Sequence, residues 1–175
     1  MSLKPYEIDR LAHDLVLKFR DKKDKKNNDI LGESHKMRMA TAYGLERFWG
    51  EHLRLQRESQ DKADFWKETW TTFCKIMKDA GITIPNDPVN VNDANSTTAI
   101  KAMANKLWTF GIPEKGVNPN EPTAVQPTID ELSEDEIEQY NNQRKIALSV
   151  LTELCDSMVW WTQRYKKPRN LKDKK

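Results

Sequence analysis

The chain has 175 residues, enough for one domain with a real core and too few for two comfortable ones. Apolar residues make up 37% and charged residues 32%, so a modest core must carry a densely charged surface. No stretch approaches the eighteen apolar residues of a membrane span, and the N-terminus "MSLKPYEIDR" has no apolar h-region, so neither a span nor a secretory leader is expected and the cytoplasm is the expected compartment. The net charge of +2 hides a segregation: Gly116 to Gln143 holds seven acidic residues and no Lys or Arg, leaving +9 elsewhere. Basic residues crowd Lys18–Lys26 and Arg164–Lys175, a pattern that favours a polyanionic partner over an even surface.

Pro5 suits the first turn of a helix, and Ile8, Leu11, Leu15 and Phe19 continue it to about Arg20. "DKKDKKNND" breaks it. From about Glu33 to about Ser59 one long helix is expected, with Met37, Thr41, Gly44, Leu45, Phe48, His52 and Leu55 on its apolar stripe. Asp61 reads as the cap of a third helix carrying Phe65, Trp66, Trp70, Phe73, Met77 and Ala80. Gly81 stops that helix, and Pro85 and Pro88 forbid its continuation. "NDPVNVNDANS" is turn chemistry, and a fourth helix covers roughly Thr97 to Phe110. Four prolines between Ile112 and Thr128 indicate an exposed loop. Ser133 and Glu136 form a capping box for a last helix running to about Lys167, roughly 50 Å long, halted by Pro168. No β-type alternation of any length is present. The expected fold is therefore an all-α bundle of about five helices over residues 1–167, followed by a basic tail, 168–175.

Catalytic signatures are lacking. There is no phosphate-cradling Gly-rich loop, no Cys-x-x-Cys and no His-Glu-x-x-His, so no catalytic residue, metal site or cofactor is assigned. "HD" at His13–Asp14 lies within helical periodicity and has no earlier histidine to complete a metal site, so it reads as structural. His52 lies on the apolar stripe as a core histidine, and His35 is too far along the same helix to share a metal with it. Cys74 and Cys155 read as buried apolar residues in a reducing compartment. Acids in "DELSEDEIE" answer the positive end of a helix dipole.

Binding chemistry is the alternative, and two faces suggest it. On a helical wheel Ile137, Tyr140, Ala147, Leu148, Leu151, Leu154, Cys155, Met158, Trp161 and Tyr165 share one arc. Trp161 is thereby a core residue, whereas Trp160 falls outside the arc beside Arg164 and Lys167. Either Arg164 stacks on the indole within the chain, or the indole is a stacking platform with cations for phosphates beside it. On the second helix Lys36, Tyr43, Arg47 and Arg54 align on another face, with Arg57 at its edge. Such a ladder can track phosphates without reading bases; otherwise it is a solvated face paired with Glu46, Glu51 and Glu58.

Two stretches together resemble one family. "ESHKMRMATAYGLERFW" (Glu33 to Trp49) resembles the early helix of the small subunits of CRISPR effector complexes, and "IALSVLTELCDSMVWWTQRYKK" (Ile146 to Lys167) is similar to their final helix. The resemblance implies a non-catalytic all-α scaffold protein that stacks head to tail in copies along a Cascade- or Csm-type ribonucleoprotein. It would brace the CRISPR backbone and large subunits and line a path for target RNA or displaced DNA. Carried onto this chain, Lys36, Arg47 and Arg54, with Arg57 beside them, would face nucleic acid. So would Trp160 and the end cluster Arg164, Lys166, Lys167 and Arg169. The rival expectation is a helical protein–protein adaptor, of a phage or regulatory kind, with no nucleic-acid role.

Overall fold

The computed structural model describes residues 5–112 and 132–168. Six helices occur among them: α1 (Pro5–Phe19), α2 (Glu33–Ala40), α3 (Leu45–Leu55), α4 (Gln60–Asp79), α5 (Ser96–Trp108) and α6 (Glu134–Tyr165). The described residues contain no strand, only an isolated antiparallel bridge between Lys23 and Asp29. The fold is all-α, as expected. Most of the expected proline-rich loop, the first part of the acidic segment and Arg169 lie outside the described residues.

The second expected helix is two helices. A short 3-10 turn at Thr41–Tyr43 follows α2, and Gly44 then adopts φ 97°, ψ 170°. No L side chain sits comfortably there, and a Cβ would meet Glu46 Oε2 at 2.9 Å. The break lets the two halves of one apolar stripe serve different neighbours. Helix α2 packs chiefly on α6 and α3 chiefly on α4, where Phe48 meets Trp66 and Trp70 with ring centroids 5.0 and 6.1 Å apart. Met37, Thr41, Leu45, Phe48, His52 and Leu55 are all buried despite the break.

The start of α4 also differs from expectation. Ser59 is the extended N-cap residue, and Asp61 lies in the first turn, where it pairs with Lys22 at 3.4 Å. The far end matches: Gly81 takes φ 86°, Ile82 N–H donates to Met77 O at 2.9 Å and Gly81 N–H donates to Lys78 O at 2.9 Å. This double closure satisfies two terminal carbonyls, and Ile82 buries itself beside the helix end.

At about 1.5 Å per residue, the 32 residues of α6 span roughly 48 Å. The helix opens with the expected capping box: Ser133 Oγ accepts from Glu136 N–H, and the Glu136 carboxylate accepts from Ser133 N–H at 2.8 Å. Ala147, Val150, Leu151, Leu154, Cys155 and Met158 are buried against α1, α2 and α4. Arg144 and Tyr140 reach from α6 to the end of α5, donating to Leu107 O at 2.8 Å and Trp108 O at 3.1 Å. They satisfy carbonyls that the helix end would otherwise leave open.

Candidate nucleic-acid interface

Local chemistry builds the turn after α1. Asp24 accepts from the backbone N–H of Asn28 at 2.8 Å and of Lys26 at 2.9 Å, and Asn27 closes the turn with φ 60°. The Asn28 amide, ahead of the other donors, holds the Asp24 carboxyl down to about 2. Asp24 also receives Lys62 at 3.3 Å, so its charge is turned inward onto the fold. Lys23, Lys25 and Lys26 are left pointing to solvent with no carboxylate partner among the described residues.

The C-terminal basic cluster arrives at the same end of the molecule. Arg20 Nε donates to Tyr165 O at 2.9 Å, and Lys167 bonds Asp21 at 2.5 Å, pulling that carboxyl below its ordinary range. A methyl at Gly32 would lie 3.9 Å from Lys166 Nζ. The two basic runs, far apart in sequence, thus form one pole. Five of its exposed cations, Lys23, Lys25, Lys26, Arg164 and Lys166, make no ion pair among the described residues.

Trp160 stands beside this pole and is 47% exposed. The Arg164 guanidinium lies 3.5 Å from its ring centroid and donates to Trp160 O at 3.0 Å, so the intramolecular stack is the arrangement seen. Lys167 is not its neighbour. Helix α6 ends at Tyr165, and Lys166 turns to ψ 129°, which carries Lys167 off the wheel toward Asp21.

Trp161 also departs from expectation, being only partly buried at the edge of the core. Its Nε1 donates to Asp9 Oδ1 at 3.0 Å, and its ring stacks on Tyr165 at 5.4 Å. An indole that must reach a surface carboxylate cannot sink fully into the core. His13 joins this group as a structural residue: Nδ1 donates to Asp14, Nε2 accepts the Tyr165 hydroxyl at 3.1 Å, and the ring meets Trp161 edge-on.

The ladder on α2 and α3 converges on one shallow groove of ≈ 360 Å³ in spite of the break. Its cations are differently placed from those of the pole. Lys36 bonds buried Glu33 at 2.9 Å, and Arg54 is held by Glu51 at 2.7 Å and by Glu58 at 2.5 Å. Only Arg47 and, at the edge, Arg57 make no ion pair among the described residues. Arg47 lies 5.6 Å over the Tyr43 ring. Glu46, expected to pair within this face, bonds Arg144 of α6 instead.

Beneath both surfaces runs a chain of charges that sequence reasoning missed. Lys62 bridges Asp24 to Glu33 at 3.3 and 3.7 Å, Glu33 holds Lys36, and Trp66 Nε1 donates to Glu33 Oε2 at 3.0 Å. Glu33 is 3% exposed. A helix-initial glutamate gives no sequence sign of burial; only the 33-residue reach to Trp66 reveals it.

Compared with known protein families, curated proteins and solved structures, the chain matches none. His52 is a satisfied core histidine, its Nδ1–H donating to Trp49 O and its pKa lowered by desolvation. Burial pushes the Cys74 thiol up to about 12 and Cys155 higher still, which leaves both poor nucleophiles. Among the described residues no three His, Cys, Asp or Glu side chains gather as metal ligands, and no helix is long and apolar enough to cross a membrane.

Proposed function

We propose that this chain is a non-catalytic scaffold subunit that contacts single-stranded nucleic acid, of the kind found as small subunits in CRISPR effector ribonucleoproteins. One observation supports the reading: the fold gathers two basic runs, 146 residues apart at the Lys167–Asp21 bond, into one pole with five cations that make no ion pair among the described residues, beside an exposed indole. Cations without carboxylates release counterions when they meet phosphates, and an aromatic face accepts any base, so the contact is backbone-led and indifferent to sequence. The acidic start of α6, with Glu134 and Asp135, lies the length of that helix from the basic pole. Copies joined acidic end to basic pole make a heterologous contact, the kind that head-to-tail stacking along a longer assembly requires.

Fluorescence anisotropy with a labelled thirty-nucleotide oligo(dT) and oligo(U), at two salt concentrations, tests this. Neutralising about five phosphates on a single strand predicts a log–log salt slope of roughly −3 to −4. Reversal of Lys23, Lys25, Lys26 and Lys166 to Glu should flatten that slope and abolish most binding at moderate salt. Undiminished binding by the quadruple variant would sink the reading. The adaptor alternative has one observation in its favour, the apolar groove beside Arg47.

A further inference from the structure

The two most exposed large apolar side chains among the described residues are Met39 at 69% and Tyr43 at 63%, and both line the groove between α2 and α3. Trp66 is at its floor, with Lys36, Arg47 and Arg54 at its rim. Isolated exposed apolar residues need no explanation, but two adjoining ones over a concave surface mark a contact site.

The charges of the groove say which kind of occupant fits. Lys36 is neutralised by Glu33, and Arg54 by Glu51 and Glu58. Glu51 in the groove wall, with Glu58 beside it on Arg54, repels a polyanion, whose phosphates would pass at regular spacing along the rim. What remains for a ligand is one guanidinium, Arg47, held over the Tyr43 ring with no carboxylate partner among the described residues. A single fixed cation beside an apolar trough calls for one carboxylate next to apolar side chains.

We infer that this groove docks a short segment of a partner protein, in which an apolar anchor enters between Met39 and Tyr43 and a neighbouring Asp or Glu pairs with Arg47. The anchor displaces water from Met39 and Tyr43, and the thioether adapts to varied anchor shapes. The planar Arg47 fork takes the carboxylate with both nitrogens, and Tyr43 holds it in place. This surface is separate from the basic pole, so it assigns the protein a protein-binding face in addition to the nucleic-acid one.

The test uses the full chain and a phage-displayed library of random twelve-residue peptides. Peptides combining an apolar residue with a nearby acid should be enriched. Synthetic copies of the winners should lose at least about tenfold in affinity to Arg47→Glu and to Tyr43→Ala, with melting temperatures unchanged because both side chains are exposed. Replacing the peptide's acid by Lys should restore binding to Arg47→Glu and to no other variant. Such a charge swap would not follow from a merely structural role. The inference is overturned by enrichment of basic peptides or by winners insensitive to both variants. Displacement of the winners by oligo(dT) overturns it in favour of nucleic acid. Loss of self-association in Tyr43→Ala, measured by sedimentation, overturns it in favour of a second copy of this chain. Competition by a peptide of residues 120–138 overturns it in favour of the chain's own acidic segment.

Discussion

Two cationic surfaces adjoin α2, one near Gly32 at its start and one along Lys36, Met39 and Ala40, and their residue types are alike: Lys and Arg with an aromatic ring under one guanidinium. At the pole the acids are turned inward or pulled aside, Asp24 into its own turn and Asp21 onto Lys167, so five cations stay without an ion pair among the described residues. In the groove the acids lie on the same helix faces as the cations, one turn away, and Lys36 and Arg54 are neutralised. Free charge is set by where the carboxylates point. A count of Lys and Arg does not reveal it.

The largest effect should come from the residue that joins the two surfaces. Glu33→Ala leaves Trp66 Nε1 without an acceptor, Lys36 without its carboxylate and Lys62 with Asp24 alone, and should cost about 3 kcal/mol in urea unfolding. Glu33→Gln, which keeps an acceptor for Trp66, should cost less. Equal, small losses would mean that the charge chain is not structural.

Next in size is the contrast between the adjacent tryptophans at the pole. Trp161→Ala should destabilise by roughly 2–3 kcal/mol, below the range for a fully buried aromatic because the ring is only partly covered. Trp160→Ala should stay within about 1 kcal/mol in stability. It should still weaken oligonucleotide binding by about 1–3 kcal/mol, the scale of one stacked base. If Trp160→Ala changes neither, the Arg164 stack is only surface packing.

A sharper version sets one surface against the other. Arg47→Glu should change oligo(dT) affinity by less than about threefold, whereas Lys166→Glu alone should lower it by more and reduce the salt slope by roughly 0.7. Similar losses from both would erase the distinction between pole and groove.

The smallest expected effect is on pH dependence. With its folded pKa depressed to about 2, Asp24 contributes stability that is present above pH 4 and lost as pH falls toward 2. Asp24→Asn should therefore flatten the acid limb of a melting-temperature profile below pH 4. Its removal should also loosen the turn that presents Lys23, Lys25 and Lys26. His52, whose pKa is lowered by burial, contributes in the same direction: its share is present above about pH 6.5 and declines as acid forces a proton onto it.

Period-3.6 patterning by itself determined the fold class, the burial of Trp70, Phe73, Met77, Leu151, Leu154 and Met158, and the capping box at Ser133, because each follows from neighbours three or four residues away. Trp160 was legible as the exposed indole for the same reason. Tertiary structure alone decided the break at Gly44, where one apolar stripe had to serve α6 and α4 in different directions, and periodicity passes through a glycine without a mark. It also decided which cations are free. Lys167 leaves the wheel for Asp21, Glu46 crosses to Arg144 and leaves Arg47 bare, and Glu33 is buried beneath Trp66. Most of these pairings, including the turn meeting the end of α6, join residues that chain distance keeps apart. Side-chain reach in three dimensions selects among many possible partners, and a linear pattern carries no term for that choice.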